Sequence, residues 1–384
     1  MNNRSTSFNK TKDKFTKKLI NFFIIFTSVA AILFYLSTGV YFSYTIDTQV
    51  WAQFGAFLGA FLLATTLIYQ IRSFHRQQVE ARFFELIKYY RANVDEMKFR
   101  NPFYYEEDGR KADEEYVTGR RVMKTIFEQY KVARKIAKEL EFTDNYFFNQ
   151  DDRYGKFKEI YVDKWKNDSR KVLDKKDWIN NLKINEVAYL ITFWGIPIDT
   201  DKELKNYLEC ILNETQLKDL TDTVRRIVTV YDFDGVKAKY SGNLKFSDRD
   251  ISEILNTEGL PELDNAKIKF FGGHQYHLGH FFRHLYQAIK YIDQQPEWLF
   301  SFDEKYDYIK TLRAQMSNYE QAVFFINSLT ELGRKWEYDN KYERKLISDY
   351  NLVKNLPRNF IPDMEPHYYY PEVEFEWKDI YLKK

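Results

Sequence analysis

The stretches LINFFIIFTSVAAILFYL (19–36) and VWAQFGAFLGAFLLATTLIYQI (50–71) decide the fold class, because neither contains an Asp, Glu, Lys or Arg. At about 1.5 Å of rise per residue, helices built on them reach across a hydrocarbon core of roughly 30 Å. A helix satisfies its own backbone donors and acceptors, which lipid does not do for it. The pattern predicts a transmembrane helical hairpin, with spans at about 19–44 and 48–71 and Asp47 in the connection between them. Arg4, Lys10, Lys12, Lys14, Lys17 and Lys18 precede the first span, and Arg72, Arg76, Arg82, Lys88 and Arg91 follow the second. The connection 37–50 has no Lys or Arg. Positive flanks stay on the cytoplasmic side, so both termini are expected in the cytoplasm. A cleaved signal peptide fits less well, since the first stretch is long and a second span follows at once.

Working outward, residues 1–18 form a basic N-terminus, and 72–384 are charged enough to be a water-facing globular region. The second span carries Gly55 and Gly59 in a GxxxG spacing, with Ala52, Ala56 and Ala60 nearby. Small residues at that spacing let helices approach closely, so Gly55 and Gly59 can serve a second copy or the first span of the same hairpin. Beyond Ile71 the helical pattern continues without Pro or Gly through Val79, Phe83, Leu86, Tyr90, Val94 and Met97. One helix from about Val50 to Phe99 is expected, ending at Asn101-Pro102.

The rest reads as all-α: a multi-helix cytoplasmic domain over 72–355, with a possible seam at 232–273. NPFYYEEDGRKADEE (101–115) reads as a charged loop. Helices are expected at about 114–140, 144–165, 176–194, 203–212, 213–230, 274–294, 303–315, 318–329 and 340–355. Thr200–Glu203 and Ser317–Glu320 have capping-box spacing. The 356–384 tail is rich in aromatics and proline and is expected to wrap the surface as an extended segment or a partner-binding strap.

The chain has 384 residues, a net charge of +2, 33 Phe, 30 Tyr and 7 Trp. That charge gives no whole-protein argument for nucleic acid. The single cysteine, Cys210, excludes an intrachain disulfide. GxxxxGK[ST], GxGxxG, GxSxG and HExxH are absent, so phosphate-loop, dinucleotide, serine-elbow and zincin chemistries lack their signatures. No cofactor is indicated.

Two groups of residues can carry chemistry. GGHQYHLGHFFRHLYQ (272–287) holds His274, His277, His280 and His284. On a helix His277, His280 and His284 share a face with Gln287 and Tyr291, while Phe281, Leu285, Ile289 and Ile292 take another. Imidazoles at that spacing can bind metal or move protons, with Arg283 beside them, or they can line a polar helix seam. RAQMSNYEQ (313–321) offers Arg313, Gln315, Ser317 and Glu320 either as a binding set, with Arg313 meeting an anion or RNA, or as a plain helix junction.

Together with ARFFELIKYY (81–90), LGHFFRHLYQAIKYID (278–293), YIKTLRAQMSNYEQAVFFINSL (308–329) and LISDYNLVKNLP (346–357), this layout resembles the phage abortive-infection proteins of the AbiC-like group. The matching positions are Phe84, Arg283, Leu285, Tyr286, Arg313, Gln315, Ser317 and Glu320. The resemblance implies a membrane protein of the bacterial inner (plasma) membrane, active in antiviral defence by arresting the infected cell. It implies the lipid bilayer, a second copy and a phage-derived or host protein trigger as partners, and it supplies no catalytic residue. The rival expectations are a membrane-tethered nuclease or metal-dependent hydrolase using His277, His280 and His284, and a membrane-anchored scaffold.

Overall fold

The computed structural model describes residues 48–101, 116–138, 175–195, 212–220, 271–333, 335–338 and 344–377, with single positions between 22 and 36 and at 106–107, 110–111 and 208. The expected helix at 144–165, the Thr200–Glu203 box and almost all of the 232–273 seam lie outside them. The chain is mostly helical and divides into two compact units, Met1–Lys88 with Gln287–Thr311, and Tyr89–Tyr286 with Leu312–Lys384.

The first unit is built on the Thr48–Lys88 part of α1 (Thr48–Glu96), an unbroken helix of 49 residues. Its length is about 73 Å at 1.5 Å per residue. No Pro or Gly occurs after Gly59, so nothing in the sequence interrupts the hydrogen-bond ladder where the apolar stretch gives way to charge. Among the described residues this is the one helix long and apolar enough to cross a membrane, and none of its most apolar window is buried. Leu63 is 73% exposed and Ile68 63%. The described positions between 22 and 36 are helical. Phe26 stacks on Phe61 with ring centroids 4.4 Å apart, and Phe34 on Phe54 at 4.3 Å.

Past Ile71 the same helix becomes amphipathic and buries Val79, Phe83, Leu86 and Ile87. Here α5 (Phe302–Arg313) runs beside it. Arg76 Nη1 donates to Glu304 Oε1 at 2.7 Å, and the Tyr308 hydroxyl donates to Glu80 Oε1 at 2.5 Å. Both pairs are separated by 228 residues, so the two helices are parallel and in register. Phe83 and Phe300 meet the edge of Tyr308, each at 5.6 Å. A capping box that the sequence reading missed starts α5: Ser301 N–H donates to Glu304 Oε2 at 2.9 Å, and Glu304 N–H donates to Ser301 Oγ at 3.4 Å.

The second unit is layered around α6 (Asn318–Ser328), in which every residue from Glu320 to Ser328 is buried. A helix without a wet face belongs at the centre of its layer. It packs on α2 (Arg121–Lys138) and α3 (Lys175–Trp194), which also pack on each other. Polar side chains cross these contacts in pairs. Tyr130 donates to Asn185 Oδ1 (2.7 Å), Asn185 Nδ2 to the Ile326 carbonyl (3.2 Å), and Asn327 Nδ2 to the Tyr189 hydroxyl (2.8 Å). Satisfied buried pairs of this kind fix the rotation of one helix against another, because a slip orphans both partners.

Several expectations need correction. Residues 98–118 are not all loop: β1 (Lys98–Arg100) pairs antiparallel with β4 (Tyr116–Thr118), and β2 (Glu106–Glu107) with β3 (Arg110–Lys111). The helix expected from 114 therefore starts at Arg121, after Gly119 turns the chain at φ 60° and donates to the Met97 carbonyl (2.9 Å). The four-residue α7 (Lys335–Tyr338) follows α6, and the helix expected at 340–355 is the five-residue α8 (Leu346–Tyr350), stopped by Asn351 at φ 52°. The larger correction is the tail. Ile361, Met364, Tyr369, Tyr370, Val373 and Phe375 are buried, so 356–377 is core and not a surface strap. By contrast, 175–194 and the 213 start are as expected. Asn213 and Gln216 cap each other reciprocally at 2.9 and 3.0 Å.

Candidate functional site

The histidine row lies on α4 (Gln275–Asp293), whose other face buries Leu278, Phe281, Leu285, Ala288, Ile289 and Ile292. The start of α4 is held by a backbone contact that only glycine permits. Gly195, at φ 72°, ends α3, and Gly273, at φ 83°, precedes α4. A Cβ on Gly195 would stand 2.5 Å from the Gly273 nitrogen, and one on Gly273 would stand 2.5 Å from the Trp194 carbonyl. Gly272-Gly273 is thus a close-approach point as well as the expected turn, and His274 N–H donates to the Phe193 carbonyl across it at 2.8 Å.

His274 is consequently buried. Its Nε2 hydrogen-bonds Gln129 Oε1, its Nδ1 has no partner, and Phe99 meets its ring at 4.8 Å. Burial, aided by His277, pushes its pKa down to about 3. A proton on Nδ1 would be a buried donor without an acceptor. His277 is half-buried, and burial lowers its pKa against a backbone hydrogen bond at Lys98. His284 is lowered too, by burial and then by His280 and Arg283. His280 lies between Tyr276 (5.0 Å) and His284 (6.3 Å), and Arg283 is exposed. Among the described residues no group of three or more His, Cys, Asp or Glu side chains stands close enough to share a metal ion. The row is a strip of imidazoles along one helix, suited to polar packing or weak hydrogen bonding.

The depressed His274 value gives a testable pH dependence. Unfolded, the imidazole protonates below about 6.5. Folded, it stays neutral to about 3. Between those values the unfolded chain binds the extra proton, so stability falls as pH falls, by up to about 1.4 kcal/mol per pH unit. Thermal unfolding in detergent between pH 7 and pH 4 should show this slope and a shallower one for His274→Phe. Parallel curves for the two proteins would exclude the assignment.

The second candidate set gathers at the start of α6. Ser317 Oγ accepts from Glu320 N–H at 3.2 Å, and the Glu320 carboxylate accepts from Ser317 N–H, completing the expected capping box. Arg91 Nη1 donates to Gln315 Oε1, and Arg120 Nη2 donates to the Gln315 carbonyl at 3.0 Å. Tyr90 is buried close by, and its pKa is raised well above the usual phenol value by burial and then by the Glu320 carboxylate. Arg313, expected to face an anion, is only 5% exposed. Its Nη1 donates to the Tyr350 and Asn351 carbonyls at 3.2 and 2.8 Å, completing the C-terminus of α8 where a cation is favoured. Of the four residues, Gln315, Ser317 and Glu320 come together with Arg91 and Arg120, and Arg313 belongs to a different contact. Nothing in the local spacing of Arg91 or Arg120 points to 315, because both partners lie about 200 residues away.

The other matching positions divide in the same way. Leu285 is fully buried, Tyr286 meets the Trp336 ring edge at 5.0 Å, and Phe84 is 51% exposed. Among the described residues a Cβ placed on Gly55 or Gly59 meets nothing within 4 Å, so the GxxxG face of α1 is open.

Residues 273–361 match the family described as Putative phage abortive infection protein. No curated protein and no solved structure matches the chain. The resemblance read from the sequence is therefore borne out over residues 273–361, which are similar to a family described by phage abortive infection.

Proposed function

We propose, from the match of residues 273–361 to the phage abortive-infection family, that this protein is a bacterial inner-membrane effector whose globular part senses infection and whose membrane helices deliver the arrest. The observation that carries the reading is α1. One uninterrupted helix holds the exposed apolar stretch at one end and core residues Tyr90 and Val94 at the other. On this reading a rearrangement around Tyr90 reaches the apolar stretch through α1. The hairpin is supported by the ring pairs Phe26–Phe61 and Phe34–Phe54, whose numbers run in opposite directions as antiparallel helices require. The flanking charges favour a cytoplasmic location for both termini. The open Gly55–Gly59 face suits a second copy. The trigger in this account is a phage-derived or host protein.

A helix break between the two ends tests the coupling. Gln78 is exposed on α1, so proline there costs about 3 kcal/mol of helix and removes no core contact. Gln78→Pro, present in the membrane at wild-type level, should lose protection against phage plating, whereas Gln78→Ala keeps it. Full protection by the proline variant would sink the coupling. The combined His277→Ala, His280→Ala and His284→Ala variant should still protect. Loss of protection in that folded variant would favour a membrane-tethered hydrolase instead.

A further inference from the structure

The turn that leads into α5 presents a tryptophan at the depth where the apolar stretch of α1 ends. Leu299 and Phe300 N–H groups both donate to the Pro296 carbonyl at 3.0 Å, so the turn is closed and rigid. Leu299 and Phe300 are buried, yet Trp298 between Glu297 and Leu299 is 60% exposed. Arg76 fastens this turn to α1: its guanidinium lies 4.7 Å over the Phe300 ring and 3.5 Å from the Leu299 carbonyl, besides pairing with Glu304.

Depth follows from the register. The pairs 76–304 and 80–308 place Phe302 level with Phe74, three residues past Ile71, which is about 4.5 Å along the axis. Trp298 stands four residues before Phe302, in the turn whose Leu299 carbonyl and Phe300 ring lie on Arg76. At this level Tyr69 is 44%, Ile71 49%, Phe74 59% and Phe302 38% exposed. Tyr and Trp concentrate where hydrocarbon meets headgroups, because the ring body is apolar and its N–H or O–H needs a wet partner. The charges nearby are of both signs: Arg72 and Arg76 on α1, both acting on Glu304, with Glu297 and Asp303 in the turn and the first turn of α5. A strongly anionic surface is therefore not what this rim selects.

We propose that the Pro296–Phe302 turn is a membrane-interface anchor, with Trp298 inserted into the headgroup layer of a zwitterionic bilayer. The inference rests on α1 spanning the membrane. The anchor fixes how far α1 emerges, and α5 moves with α1 as one body.

The test uses the full chain in phosphatidylcholine vesicles. With Cys210 replaced by serine, single cysteines at Leu63, Trp298 and Thr311 carry an environment-sensitive fluorophore, and nitroxide lipids serve as quencher. Leu63 reports the span. Thr311 is exposed on α5 and level with residue 83, about 18 Å past Ile71. The label at 298 should be blue-shifted and lose about half its emission to the lipid quencher, as an interfacial site does, with little effect at 311. A quenched Leu63 label beside an unquenched 298 label overturns the anchor and leaves the span intact. Absence of quenching at both overturns the span as well. A 298 label shielded from aqueous iodide but untouched by nitroxide lipid indicates a protein partner and also overturns the anchor.

Discussion

A chain ending after Leu356 is expected to lose the fold of its larger unit. The lost segment contributes Ile361, Met364, Tyr369, Tyr370, Val373 and Phe375, each at most 1% exposed. Burying a large apolar side chain stabilises by about 1.5–3 kcal/mol, so the six together are worth about 10 kcal/mol or more. That equals the whole stability of an ordinary domain. The segment also carries hydrogen bonds across the fold: Tyr370 donates to Ser328 Oγ at 2.8 Å, and Glu376 N–H donates to the Lys354 carbonyl at 3.1 Å. Phe325, on the central helix α6, meets the rings of Tyr369 and Tyr370 at 5.8 and 5.9 Å. Limited proteolysis should show the truncated protein degraded across 312–356, where the full chain resists. A milder variant grades the effect. Tyr370→Phe leaves the Ser328 hydroxyl without its donor and should cost about 1–2 kcal/mol, read as a lower unfolding midpoint. A truncated chain as protease-resistant as the full one would return the tail to the surface.

Arg76→Ala should be the most damaging single change in the first unit. Glu304 is 4% exposed, and its two oxygens are committed, one to Arg76 and one to Ser301. Removing Arg76 leaves a buried carboxylate without its ion-pair partner, at a cost of up to about 3–5 kcal/mol. The guanidinium also covers Phe300, so packing is lost with the charge. Hydrogen exchange is the suitable measurement, because α5 should open locally while α6 keeps its protection. The paired variant Arg76→Leu with Glu304→Leu should recover much of the loss, since two apolar side chains replace a buried ion pair at little net cost. No added exchange in α5 of Arg76→Ala would show that the pair is a surface contact.

Much of this architecture was legible in the sequence, for physical reasons. A run of 49 residues without proline or late glycine reads as one helix because no residue in it stops the ladder. The α4 face was visible from its 3.6-residue period, and the α6 start from Ser317 and Glu320, whose reciprocal bonds are local. Non-local outcomes were not legible. Strands of three residues, KFR against YVT, are too short to show alternation, and their pairing depends on the Gly119 turn. The Pro and aromatic residues of the tail suit both a surface strap and an irregular core segment. Only the partners at Phe325 and Ser328 decide between them. For Arg313 both a ligand contact and a plain helix junction stay open in the sequence, since no spacing shows that its guanidinium ends on carbonyls 37 and 38 residues away. The histidine row is plain in the sequence, but His274 is set apart by the Gly195–Gly273 contact, which joins residues far apart in the chain.

The central claim is that arrest is delivered through the membrane by the helix that also enters the folded core. The most direct measurement is the membrane potential of phage-infected cells carrying the full chain, followed with a potential-sensitive dye. The account predicts depolarisation before lysis in those cells and none in uninfected cells or in infected cells without the protein. Growth arrest at an unchanged potential would contradict it.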